Sequence, residues 1–171
     1  MRLHAKILTE VIVFTALAGV LYEITFYQFP NGGRITAASM VPILFIALRR
    51  GPKVGIAAGI VFGLVALVLD AFAFVVNPIQ VLLDYPLAFG ALGLAGFFRK
   101  NAIVGVTVGI AGRFLCHFVS GLLFFAMYAP QGEAPALYSA IYNASYLIPE
   151  LFISAIVIFV LQKRGVIQLY Q

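Results

Sequence analysis

The sequence predicts an all-α integral membrane protein, a bundle of six transmembrane helices with a short second helix, forming a single transmembrane domain over residues 1–171. Composition, segmentation and the distribution of positive charge predict it. Hydrophobic residues make up 63% of the chain and charged residues only 10%, against roughly 25% charged in a soluble domain. So apolar a chain has too little polar surface to face water, whereas a bilayer requires apolar side chains on the outside as well. The formal charge of +5 does not point to nucleic acid, because the basic residues sit in short clusters between apolar runs, where they set topology.

The segments follow in order. The first runs from about Lys6 to Tyr27. It is read as a retained helix and not a signal peptide, because it contains Glu10, lacks a clean small-x-small cleavage site and is followed by more membrane. The second, Ile35 to Leu48, is short, at roughly 14 residues against the ~20 needed to cross. The third is Val54 to about Val76, the fourth Ile79 to Phe98, the fifth Ala102 to Tyr128 and the sixth Tyr138 to Gln162. Turn chemistry separates them: Pro30-Asn31-Gly32-Gly33, Gly51-Pro52, Asn77-Pro78 and Pro130-Gln131-Gly132. Arg2, Lys6, Arg49, Arg50, Lys53, Arg99, Lys100, Lys163 and Arg164 all fall on alternate connections, and the opposite ones hold only Arg34. The positive-inside rule therefore puts both termini in the cytoplasm of a multi-pass plasma-membrane protein, with the loops near 28–36, 77–78 and 129–137 outside. The lone Cys116, inside an apolar run, is expected to serve as a small buried hydrophobe.

Ionisable groups inside a membrane segment are costly and face a partner or a cavity. Glu23, Asp84, Arg113, His117 and Glu150 are such groups, and Asp70 lies nearer the outer end of its segment. Arg113, His117, Gly121 and Phe125 recur every four residues along one face of the fifth helix. Asn143, Tyr146 and Glu150 make a second stripe on the sixth. The depths of Asp84, His117 and Asn143 overlap in the outer half of the membrane, which implies a pocket open to the outside; helix–helix hydrogen bonding is the alternative. Arg113 and Glu150, at similar depth, are expected to form a structural ion pair, because either charge alone would be strongly destabilising.

Several stretches resemble the thiamine-specific substrate-binding subunits of energy-coupling-factor vitamin transporters. They are Ser39-Met40-Val41-Pro42-Ile43 through Ala47-Leu48-Arg49-Arg50-Gly51, Asp84-Tyr85-Pro86-Leu87-Ala88-Phe89-Gly90, His117-Phe118-Val119-Ser120-Gly121, and Tyr138-Ser139-Ala140-Ile141-Tyr142-Asn143. The resemblance implies a six-helix fold that captures thiamine outside and docks on a transmembrane coupling protein with two ATPases. By position it implies Asp84, Tyr85, His117, Tyr138 and Asn143 as substrate-binding residues, with Asp84 where the family has Glu. It implies Phe125 as the stacking residue where relatives carry Trp, and puts Arg34 near another such position. An arginine there repels a cationic ligand unless it points away. Thr15 and Gly19, small and four apart, are the implied contact with the coupling protein, although that spacing also serves ordinary helix packing. The chemistry is coherent: a carboxylate suits the thiazolium cation, aromatic faces suit both rings, and polar side chains suit the aminopyrimidine edge.

The chain has no GxxxxGK[ST] loop, no HExxH motif and no nucleophile at a recognisable spacing from His117, so neither an ATPase, nor an enzyme, nor a cofactor is expected. The competing reading is a proton-coupled secondary transporter of thiamine, a precursor or another small cationic vitamin, with Glu150, His117 and Asp84 as carriers. Topology supplies the first prediction. Cysteines placed in the 129–137 loop should react with a membrane-impermeant reagent from outside, and one at Lys163 should not. The reverse labelling pattern overturns the orientation.

Overall fold

The computed structural model describes residues 2–71, 73 and 75–167, with side chains described from residue 5 onward. It contains six helices and a two-stranded hairpin. Helix α1 is Arg2–Glu23, α2 Val41–Arg50 and α3 Pro52–Leu69. Helix α4 spans Pro78–Phe98, α5 is Ala102–Phe124 and α6 Pro135–Lys163. All but α2 are long and apolar enough to cross a membrane. With 10 residues, α2 is about 15 Å long at ~1.5 Å per residue, half of a ~30 Å hydrocarbon core. It is buried on every side, with Ile43, Leu44, Ile46 and Leu48 fully enclosed. Pro42 in its first turn starts it, and Gly51 at φ 91° ends it and starts α3 at Pro52.

The second predicted segment began too early. Arg34–Thr36 form strand β2, paired antiparallel with β1, Thr25–Gln28, whose residues 25–27 the sequence assigned to the first helix. Runs such as Thr25-Phe26-Tyr27 are as apolar as helix but β-branched and aromatic, and here the strand preference prevails. The third segment stops at Leu69, with Ala71 at positive φ; of the further stretch predicted to Val76, residues 72 and 74 lie outside the described residues. The fifth helix ends at Phe124 and becomes a short 3₁₀ turn over Ala126–Tyr128.

Two features position the site. Helix α4 is irregular: α-helical to Leu82, a π turn over Leu83–Leu87, then a 3₁₀ stretch from Leu92 to Phe98. Pro86 lies in the π turn and has no N–H for a regular helical bond. Helix α3 carries Gly55, Gly59 and Gly63 on one face, and α4 lies backbone to backbone on it. A Cβ on Gly59 would strike the carbonyl of Phe89, and one on Gly63 the carbonyl of Tyr85. Where lipid gives no hydrophobic drive, such close contact is what holds helices together.

At the opposite end from the hairpin, Glu10 takes Arg50 through Nε and Nη2 (both 2.7 Å) and Arg49 through Nη2 (3.1 Å). Arg99 donates to the carbonyls of Leu48 and Arg49 and closes the end of α2. This basic end thus joins α1, α2 and α4.

The glycine face of α3 makes a specific demand. Gly59→Ala should lower stability in detergent by about 1–3 kcal/mol, the cost of overpacking. Gly19→Ala, whose methyl would meet Val65 and Leu69 at 3.5 and 3.7 Å, should stay within about 0.5 kcal/mol of wild type. Equal melting temperatures for the two variants would show that the backbone contact is not tight.

Candidate ligand-binding site

The π turn of α4 carries Asp84 and Tyr85 into the bundle. One turn earlier, fully buried Gln80 donates through Nε2 to Asp84 Oδ2 (2.6 Å) and accepts from the Val76 N–H (3.2 Å). From α5, His117 Nδ1 lies 3.1 Å from Asp84 Oδ1, and Arg113 Nε–H donates to His117 Nε2 (3.2 Å). The guanidinium can only donate, so Nε2 is the bare ring nitrogen and Nδ1 carries the proton to Asp84. Arg113, His117, Asp84 and Gln80 form one hydrogen-bonded row. The Arg113 guanidinium also lies 4.1 Å over the ring of Phe89.

A second cluster centres on Asp70, at the end of α3. Its Oδ1 pairs with Arg34 Nη2 (2.6 Å), and its Oδ2 accepts from Tyr22 (3.1 Å) and Tyr85 (2.8 Å). Arg34 lies 4.4 Å over the Tyr22 ring. The side chain of Asp70 is only 3% exposed, so these partners stand in for water. The pair ties the hairpin to α1, α3 and α4 together.

Helix α6 holds the rest of the hairpin. Tyr138 accepts from Asn31 Nδ2 (3.0 Å), Tyr142 from the Gly33 N–H (3.0 Å), and Glu150 Oε1 from the Thr36 N–H (2.5 Å) and Oγ1–H (2.7 Å). Residues 31, 33 and 36 thus run along α6 against 138, 142 and 150. Tyr146 packs beneath Gly33, where any Cβ would strike its ring. Beneath this cap lies a cavity open at its mouth, lined by side chains of the hairpin, α4, α5 and α6.

Asp84, Tyr85, His117, Phe125, Tyr138 and Asn143, singled out from the sequence, all line this cavity. Asn143 does so with its amide engaged: Nδ2 donates to the Ser139 carbonyl and Oδ1 accepts from Tyr146. The expected Arg113–Glu150 ion pair is not formed. The two share a depth but not a direction: Arg113 turns to His117 and the cavity, Glu150 to Thr36. The expected docking surface at Thr15 and Gly19 is also corrected. Both are buried against the bundle, with Gly19 facing Val65 and Leu69 of α3. Arg34 is held by Asp70. Sequence reasoning missed Gln80, Tyr142 and the Tyr22–Asp70 contact. The four-residue spacing of Tyr138, Tyr142 and Tyr146 and of Gln80 and Asp84 was the available signal for the first two.

Residues 8–169 match the family model described as thiamine transporter protein. The chain belongs to the thiamine transporter protein family. It is 36% identical over 169 residues to the thiamine transporter ThiT of Bacillus subtilis, covering 88% of this chain and 87% of that protein. To the thiamine transporter ThiT of Lacticaseibacillus paracasei it is 31% identical over 140 residues, covering 71% and 70%. The solved structure of ThiT from Listeria monocytogenes superposes with a TM-score of 0.84 at 29% identity, over 95% of this chain and 96% of that one. The family is one of transporters and not of enzymes, and with its five long apolar helices the chain is a multi-pass membrane protein.

The Asp70 cluster leads to a prediction. Asp70→Asn keeps the shape but leaves Arg34 without a counter-charge, at a cost on the order of 3 kcal/mol. Amide exchange at Gly33 and Thr36 should accelerate relative to α3. Unchanged exchange at those amides would show that the ion pair does not hold the cap.

Proposed function

We propose that this chain is the thiamine-binding subunit of an energy-coupling-factor vitamin transporter in the cell membrane. On this reading the hairpin end faces outside, both termini are cytoplasmic, and a transmembrane coupling protein with two ATPases drives the cycle. One observation carries it: in a member of the thiamine transporter family, a carboxylate, an imidazole and five tyrosines (22, 85, 138, 142 and 146) meet at one cavity. Asp84 receives its hydrogen bonds from the neutral donors Gln80 and His117, so its charge remains to attract a thiazolium in a site of low dielectric. The tyrosine faces suit both rings. Phe125, stacked on Tyr128 with ring centroids 6.0 Å apart, offers an aromatic surface at the end of α5.

Calorimetric titration of the purified protein should show one thiamine per chain. Asp84→Asn should leave the fold intact and cost roughly 1–3 kcal/mol of binding, the range for a charge-assisted contact. Phe125→Trp should tighten binding by about 0.5–1 kcal/mol if that ring stacks on the ligand. Absence of binding to thiamine or its close analogues sinks the substrate assignment. Uptake that persists in cells without the ATPases would favour the proton-coupled reading instead.

A further inference from the structure

Two guanidiniums line the cavity, and they are met differently. Arg34 has Asp70. Arg113, only 8% exposed, has no carboxylate partner among the described residues. Its Nε is engaged by His117 and one face of its plane by Phe89. Its two terminal amino groups meet no protein acceptor among the described residues, neither is a fully buried orphan, and the residue lines the cavity. A guanidinium has no acceptor capacity, and a desolvated donor left unmet is costly. Phe89 and His117 hold the group in place, so those donors point in a fixed direction.

We infer that Arg113 is a ligand-recognition residue, donating to a ring nitrogen of the pyrimidine half of thiamine and setting which way round the ligand sits. The inference rests on the thiamine reading above. Thiamine has no anionic group and its thiazolium is repelled by Arg113, so the part of thiamine that meets the guanidinium must be uncharged and carry a lone pair. The pyrimidine nitrogens are such acceptors. Asp84 stands across the imidazole of His117 from Arg113, with the opposite charge. The cavity wall is therefore polarised, positive at Arg113 and negative at Asp84. A ligand that is cationic at one end and a hydrogen-bond acceptor at the other has its two ends sorted by that field.

The test titrates thiamine and its two singly carbon-for-nitrogen pyridyl analogues, which lack one or the other pyrimidine nitrogen, against wild type, Arg113→Lys and Arg113→Met. In wild type, the analogue lacking the nitrogen that faces Arg113 should bind about 10- to 100-fold more weakly than thiamine, and the other within about twofold. In Arg113→Met, thiamine should fall by a similar factor and the weak analogue no further. Arg113→Lys, which keeps the charge but not the planar fork, should fall between. Two analogues as tight as thiamine in wild type overturn the assignment, even if Arg113→Met does not fold. A loss in Arg113→Met equal for thiamine and both analogues overturns it too, because a merely structural role gives that pattern. Wild type that binds none of the three compounds removes the thiamine reading itself, a result distinct from either.

Discussion

The carboxylate of Asp70 gathers donors from three directions: the guanidinium of Arg34 and the phenols of Tyr22 and Tyr85. A charge withdrawn from water in a bilayer protein must be met from within the protein, so this group dictates where the ends of α1, α3, α4 and the hairpin can lie. Tyr85 is gripped twice along one face of α3. Its carbonyl rests against Gly63 and its phenol reaches Asp70, seven residues or two helical turns further on. Both grips fall on the π turn that aims Asp84 inward. Site geometry and helix packing are therefore one construction: shifting α4 along α3 would break the phenol contact and the glycine contact together.

The hairpin is held by a different logic. Backbone polar groups near a membrane need partners from the protein. Helix α6 supplies them with the phenol of Tyr142 for the Gly33 N–H and the carboxylate of Glu150 for the Thr36 N–H, and its Tyr138 phenol takes the side-chain amide of Asn31. The cap over the cavity is thus specified as much by the face of α6 as by its own two strands. Glu150 does not line the cavity, and its buried Oε1 serves Thr36 through two bonds. It links the return of the hairpin to the middle of the longest helix.

Much of this was legible in the residues, for a physical reason. Lipid demands long apolar runs, so the segments stood out, and the four-residue recurrence of Arg113, His117, Gly121 and Phe125 marked a polar face. What hydropathy cannot supply is the difference between a helix and a short strand of the same oiliness, and so residues 25–27 of β1 and 35–36 of β2 were absorbed into helices. Depth along a helix is also not direction around it. Arg113 and Glu150 were matched on depth alone, yet they face different neighbours. Thr15 and Gly19 were matched on spacing, which describes an inward seam as well as an outward one. The Arg34–Asp70 pair joins residues 36 positions apart through a hairpin that no local pattern announces.

The concentration of tyrosine around the cavity has an optical consequence. The chain contains no tryptophan and eight tyrosines, and residues 22, 85, 138, 142 and 146 are cavity-lining. Phenol emission, in most proteins swamped by indole, here dominates the intrinsic fluorescence, and more than half of its emitters border the site. A ring system stacking among them would quench or transfer their excitation directly. The protein carries its own occupancy reporter without any added label.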